Sequence, residues 1–284
     1  MKKSIGFVDY YINEWHANNY VGWIKDASEK LGENFEVKYA FAELDKDPNE
    51  GMTTDEWCEK YGVQKCDSID ELCEKSDYII VLAPSNPETH LRLAEPVLKY
   101  GKNTYIDKTF APDFATAKKI FEIAEKNGAK FFSSSALRYV PELENTKGAV
   151  SMTTTGGGSL FDEYIIHQVE MIVKTLGTEP ERVKTDSLND GSKIVYVEFA
   201  SGKQGKMIYS PNNSFTVDVK FADGSSYAEK VNDGVMFAGL IEDMLRFFIT
   251  AEPSFNTNET LAVSLVREAA IKSCAQGGDW ITLR

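Results

Sequence analysis

Short apolar runs alternate with amphipathic stretches through the first half of the chain. Residues 4–8 and 35–42 read as strands, and between them residues 15–31 carry apolar positions at helical spacing, with Asn13 as the expected N-cap. Two shorter helices are expected at 55–61 and 69–75. Residues 78–82 form an unbroken apolar run between Asp77 and Pro84, the signature of a strand buried on both faces. A helix over 87–99 follows, then a strand at 104–106. Next comes a helix over 114–126 with Phe114, Ala117, Phe121 and Ala124 on one face and Gly128 as its stop, and then a strand at 130–133. Strands that alternate with helices need crossover connections, so this half predicts a doubly wound, Rossmann-like α/β domain with a parallel sheet.

The second half follows a different pattern. A strand at 149–154 leads to the run Gly156–Gly158, then to a helix over 161–176 that stops at Gly177. Beyond it the period falls to two: Val195, Val197 and Phe199 face one way while Tyr196 and Glu198 face the other, and Val217, Val219 and Phe221 repeat the pattern. Asn189-Asp190-Gly191 and Ala222-Asp223-Gly224 are hairpin signals. Helices over 235–250 and 259–275 close the chain. This predicts an α+β domain with an open, mostly antiparallel sheet. The expected division is 1–140 and 141–284, with the final helices free to pack back on the first domain. A sheet face of alternating Val, Phe and Ile needs a helix or a second copy to cover it, so a homodimer or homotetramer is expected.

Composition narrows the function classes. The 284 residues include 31 basic and 44 acidic ones, a net charge of −13, which disfavours non-specific nucleic-acid binding. No apolar stretch approaches the length that spans a bilayer, and the opening Met-Lys-Lys runs into a short strand without a signal-peptide core, so a cytoplasmic protein without membrane partners is expected. Cys58, Cys66, Cys73 and Cys274 show no C-x-x-C spacing, and the chain has three histidines. Reduced structural thiols are expected, and no metal site.

In doubly wound sheets ligands sit at the carboxyl ends of the strands. That rule singles out residues 9–13, 43–45, 83–86 and 107–109. A dinucleotide site normally carries G-x-G-x-x-G after the first strand. With Asp9 in the first glycine position, Tyr11 and Glu14 fill the other two. A tyrosine there blocks close backbone approach, and two carboxylates repel a pyrophosphate. Either Asp9 and Asn13 cap the first helix, or with His16 they bind something polar and neutral or cationic. Glu43, after the second strand, is placed to bond the ribose 2′-hydroxyl of NAD. The bland alternative is a solvated loop, which Asp45-Lys46-Asp47-Pro48-Asn49 resembles.

The stretch from Ser76 through Ala83, Pro84, Asn86 and His90 to Asp107-Lys108-Thr109 resembles the glucose–fructose oxidoreductase / inositol dehydrogenase (Gfo/Idh/MocA) family. In that family one strand ends in A-T-P-N-x-x-H and a later one in E-K-P. Leu137-Arg138-Tyr139-Val140-Pro141 looks like its R-R-F-x-P. The run Gly157-Gly158-Ser159-Leu160-Phe161-Asp162-Glu163-Tyr164-Ile165-Ile166-His167-Gln168-Val169-Glu170 looks like its G-G-x-L-x-D-x-G-x-H-x-x-D. The resemblance covers nearly the whole chain.

It implies an NAD- or NADP-dependent oxidoreductase that takes hydride from a hydroxyl carbon of a sugar, cyclitol or related polyol. Lys108 matches the lysine that contacts substrate and nicotinamide, and His167 matches the signature histidine. Glu163 has the spacing of the catalytic aspartate, and Asp162 has its residue type one place out of register. Asp9, Tyr11, Ile12, Asn13, Glu43, Ala83, Pro84, Asn86, His90, Asp107 and Lys108 would face the cofactor; Arg138, Tyr164 and Glu170 would face the substrate.

Residue chemistry agrees in part. Positions i, i+3 and i+4 share a helix face, so Glu163, His167 and Glu170 are expected to converge. His167 beside a carboxylate accepts a proton near neutral pH, and Lys108 steadies charge on the same oxygen. For His167 the bland reading is a packed helix histidine, for His90 a surface imidazole, and for Arg138 a surface ion pair. Metal-assisted lyase or hydrolase chemistry on Glu163, His167 and Glu170 lacks the ligands to complete a shell. The departures from the family pattern are the missing glycines, Thr109 in place of proline, Asp107 in place of glutamate, and a short segment between Pro141 and Gly156. They favour a second reading, a non-catalytic ligand-binding or regulatory protein that kept the fold and lost ordinary dinucleotide binding.

Overall fold

The computed structural model describes residues 2–48 and 51–283; Met1, Asn49, Glu50 and Arg284 lie outside the described residues, Asn49 being the last residue of the acidic loop noted above. The chain divides into two compact units: Met1–Ser133 with Leu240–Phe255, and Ser134–Gly239 with Asn256–Arg284. The division thus falls ahead of residue 140, and part of a late helix belongs with the first unit.

The first unit contains β1 (Lys3–Asp9), α1 (Trp15–Lys30), β2 (Phe35–Ala42), α2 (Thr54–Tyr61), β3 (Gln64–Lys65), α3 (Ile69–Lys75), β4 (Tyr78–Val81), α4 (His90–Leu98), β5 (Thr104–Ile106), α5 (Phe114–Asn127) and β6 (Phe131–Phe132). Its six strands run parallel in the order β3-β2-β1-β4-β5-β6, the doubly wound arrangement whose switch point lies between β1 and β4. The two-residue β3 was too short to leave a periodic signal. The expected helix over 87–99 is split: Pro87–Thr89 is a 3₁₀ turn, and α4 starts at His90.

Capping explains the helix ends. Thr53 and Glu56 form a reciprocal capping box on α2, and Asp113 caps α5, which stops at left-handed Gly128. Asn13 does not cap α1; Glu14 does, and the Asn13 side chain instead accepts from Asn18 Nδ2 at 3.2 Å. The core joins Ile5, Phe7, Ile79, Ile80 and Tyr105 of the sheet to aromatic residues of the late helix α7 (Met236–Thr250). Phe248 stacks on Tyr78 with ring centroids 4.9 Å apart, and Phe247 meets Phe132 edge-on at 5.1 Å.

The second unit holds β7 (Ser151–Gly156), α6 (Phe161–Leu176), β8 (Pro180–Ser187), β9 (Lys193–Phe199), β10 (Gln204–Tyr209), β11 (Thr216–Lys220), β12 (Ser226–Lys230), α8 (Asn258–Ala275) and β13 (Ile281–Thr282). The sheet order is β12-β11-β7-β10-β9-β8-β13, and every pair is antiparallel except β7 with β10. Both hairpin signals are turns, between β8 and β9 and between β11 and β12. Val195, Val197, Phe199, Val217 and Val219 are buried in one core with residues of α6 and α8. The apolar face that seemed to need a partner is thus covered within its own unit. The other face carries Thr153, Lys206, Tyr196, Glu198 and Lys220. Self-association therefore loses the support drawn from an uncovered sheet.

All four cysteines are free thiols. Burial pushes Cys58 and Cys66 up to about 11 and Cys73 up to about 12, so these thiols are inert at neutral pH. Among the described residues no helix is long and apolar enough to cross a membrane, and no group of His, Cys, Asp and Glu is arranged to hold a metal ion.

Candidate functional site

In the first unit the carboxyl ends of β1, β4 and β5 bring together Asp9, Ala83, Asp107 and Lys108, and the start of α1 adds Glu14 and His16. The pairing of β1 with β2 runs on past the strands, through Glu43 N to Asp9 O at 3.1 Å and Leu44 N to Tyr10 O at 2.7 Å. This holds residues 9 and 10 extended before the chain turns into α1. Glu14 then closes the helix, its carboxylate accepting from the backbone N–H of His16 at 2.7 Å and from that of Ala17. These are the amides a phosphate would use.

Three carboxyl groups crowd this corner. Asp9 is 1% exposed and accepts from Tyr10 N at 2.7 Å, while its Oδ2 has no hydrogen-bond partner among the described residues. Burial raises Asp9 well above the ordinary carboxylate range, and Glu14 and Asp107 add to the rise against the pull of the Tyr10 and Ala83 amides. Burial likewise lifts Glu14 to about 7, with His16 and the two capped amides pulling the other way. Asp107 behaves differently. Burial raises it too, but His16 and then Lys108 outweigh that and hold it below the ordinary value. His16 Nδ1 pairs with Asp107 Oδ2, while Asp107 Oδ1 accepts from Lys108 N at 2.8 Å and from the Tyr105 hydroxyl at 3.2 Å. The His16 ring stacks on Tyr20 at 5.2 Å.

Asp107 thus fixes the backbone of Lys108. The half-buried Lys108 ammonium makes no hydrogen bond or ion pair among the described residues. His90 is not at the surface: it is fully buried, with Nε2 2.6 Å from Leu82 O and Nδ1 3.0 Å from Phe110 O. Burial keeps it below its ordinary value, so the neutral ring donates to one carbonyl at a time. It ties the end of β4 to the segment just past Lys108. Ala83, at φ 71°, sits in the left-handed region, a strained position for a residue with a Cβ, and Asn86 N bonds back to its carbonyl at 3.0 Å. Pro84 is buried beside it, and Asn86 is half-buried.

The remaining cofactor candidates scatter. Ile12 is a buried core residue. Tyr11 bonds Asp47 and is pushed to about 12, chiefly by burial. Glu43 lies in an exposed two-point pair with Arg92, both contacts at 2.7 Å, and the guanidinium rests over the Tyr10 ring.

In the second unit Ser135 links His167 and Glu170 of α6. His167 Nδ1 is 2.7 Å from the Ser135 hydroxyl, and Ser135 N reaches Glu170 Oε2 at 3.3 Å. Glu170 Oε1 accepts from Arg138 Nε at 2.6 Å, and Arg138 Nη2 reaches Glu259, also at 2.6 Å. Arg138 and Glu170 are buried, not on the surface. Burial alone lowers Arg138, but Glu170 and Glu259 outweigh it and hold the guanidinium above its ordinary range; burial raises Glu170, with Arg138 limiting the rise. Tyr164 lies over Gly158, whose φ is 146° and where a Cβ would stand 2.0 Å from the ring, so the glycine is required. Asp162 is exposed, its carbonyl accepting from Arg267 Nε at 3.0 Å, and Glu163 is half-buried.

Reasoning from the sequence missed Ser135, Glu259 and the capping role of Glu14. The Ser133-Ser134-Ser135 run was the available signal for the first; all three serines are buried, where a hydroxyl needs a partner.

A six-stranded parallel sheet of this order defines a doubly wound, Rossmann-like fold. Residues 25–135 match the family described as "Oxidoreductase family, NAD-binding Rossmann fold" (GFO_IDH_MocA), a span that begins after the β1–α1 loop. Over that span the chain is similar to the Gfo/Idh/MocA family. The uncharacterized oxidoreductase YhhX of Escherichia coli (strain K12) is 32% identical over 60 residues, covering 21% of this chain and 17% of that protein.

Among solved structures, myo-inositol 2-dehydrogenase from Lactobacillus plantarum superposes with a TM-score of 0.78 at 13% identity over 100% of both chains. Scyllo-inositol dehydrogenase from Lactobacillus casei, with bound NAD(H) and scyllo-inositol, gives 0.77 at 11% identity over 99% of both. The WlbA dehydrogenase from Bordetella pertussis, in complex with NADH and UDP-GlcNAcA, gives 0.75 at 14% identity over 100% of this chain and 99% of that one. At these identities the likeness is one of fold, and it bears out the expected two-domain class.

Proposed function

We propose that the protein is an oxidoreductase, linked to NAD or NADP, that acts on the CH–OH group of a sugar, cyclitol or related polyol. The observation that carries this reading is Lys108: a half-buried ammonium without an ion pair among the described residues, on a backbone pinned by Asp107, just past the carboxyl end of the interior parallel strand β5. A cation held there, with its partner spent on its own backbone, is available to steady charge on a substrate oxygen. Within the second unit His167 is the proposed proton acceptor, with Ser135 orienting its ring. Glu163 or Asp162 would tune it, and Tyr164 would line the substrate. Arg138 and Glu170 are better read as positioning residues, because each is consumed by the other. We further propose action in the cytoplasm.

The pyrophosphate of a dinucleotide does not fit the start of α1 as folded, because Glu14 already takes its amides and Asp9 lies buried beside it. This favours a second reading, a non-catalytic binding or regulatory protein on the same fold. Titration calorimetry with NAD⁺, NADH, NADP⁺ and NADPH separates the two. Micromolar binding of one of them, followed by turnover in a polyol and sugar screen that falls at least about a hundredfold in Lys108→Ala, is the expected result. Binding of none of the four would promote the second reading.

A further inference from the structure

The start of α1 is an anion site that the chain fills itself. We propose that Glu14 is a built-in anion competing with the dinucleotide's pyrophosphate for the N-terminus of α1, so that the cofactor binds only once Glu14 is displaced or neutralised. This rests on the oxidoreductase reading and adds a control element to the same site.

Geometry is the main support. Both Glu14 carboxylate oxygens are engaged, one by the His16 amide and one by the Ala17 amide, in the first turn of a sixteen-residue helix. A pyrophosphate oxygen arriving at those amides would meet a carboxylate in the same place, and charge repulsion adds to the loss of the bonds. A second observation is independent of the cap. Asp9 Oδ2 is buried beside this corner with no hydrogen-bond partner among the described residues, so its polar capacity is unspent. The family match also begins only at residue 25, past this loop.

Glu14 stands well above an ordinary glutamate, at about 7, so neutral pH lies within its titration. The groups that face it are Asp9 at the end of β1, Tyr11 in the loop, His16 on α1 and Asp107 at the end of β5, the last joined to Lys108. An incoming anion favours the protonated form, so binding should take up a proton and strengthen as pH falls through about 7.

The test is calorimetry of the full chain with NADH and, separately, inorganic pyrophosphate, near pH 6 and near pH 8. Glu14→Gln removes the charge and keeps an acceptor; Glu14→Ser keeps a good N-cap and clears the space. Near pH 8 the serine variant should bind both probes about tenfold tighter than wild type or better, the glutamine variant should fall between, and both should lose most of the wild-type pH dependence. Thermal melts confirm that the variants fold. Proton uptake on NADH binding, read on wild type in buffers of different ionisation enthalpy, gives an arm without substitutions. Equal affinities in all three proteins, or binding without proton uptake, overturn the proposal and leave the oxidoreductase reading standing. No NADH binding by any of them at either pH overturns both.

Discussion

The two units each bury carboxylates, and they treat them differently. In the second unit Glu170 meets a guanidinium and a backbone amide, and the same guanidinium reaches Glu259, so the arginine shared by two acids is fully used. In the first unit Asp9, Glu14 and Asp107 crowd one corner, and the histidine there, His16, pairs with Asp107. Two acids are left to carry the cost of burial by rising towards neutrality. A buried carboxylate with a matched counterion is a structural tie, whereas one without is a group poised to change state.

Substitutions test that contrast. Arg138→Met should produce the largest loss, on the order of 3–5 kcal/mol, because it strands Glu170 in the core with one amide for company. Denaturant unfolding measures it, and a loss under about 1 kcal/mol would mean that the network is not the tie described here.

Glu14→Gln should act in the opposite direction. The folded chain holds the Glu14 proton more tightly than the unfolded one, so this group's stability contribution is fully present below about pH 4.5 and is lost as pH rises through about 7. Glutamine keeps the neutral form at every pH. The variant should therefore exceed wild type by on the order of 2 kcal/mol near pH 8 and match it near pH 4. Melting curves across that range give the comparison; a pH-independent difference would contradict it.

Ser135→Ala is the smallest step. It removes the hydroxyl between His167 and the Leu137 amide and should cost about 1 kcal/mol, with the Arg138–Glu170 pair intact.

Much of this molecule is visible along the chain. The apolar run ahead of Pro84, the helix stops at Gly128 and Gly177, and the two hairpin turns are consequences of local patterning, and each element sits where its period puts it. The match of Lys108 and His167 to a family motif was equally open to reading, because it depends on residue type and spacing.

Partnership was not. Asn13 looked as good a cap as any for α1, yet its side chain turned to Asn18, while Glu14, a poor cap by type, took the amides. His90 looked exposed at the head of its helix, and two carbonyls separated from it by eight and twenty residues enclose it. Glu163, His167 and Glu170 have helical spacing for a triad, but their spacing did not reveal that Ser135, Arg138 and Glu259 on other segments hold His167 and Glu170. Period and turn chemistry act over a few residues, so the chain alone settles where most of the longer strands, helices and hairpin turns form and which fold class they build. Which acid finds a counterion depends on groups brought together from distant segments, where desolvation and charge are decided by the packed neighbours, and only the tertiary structure makes that choice.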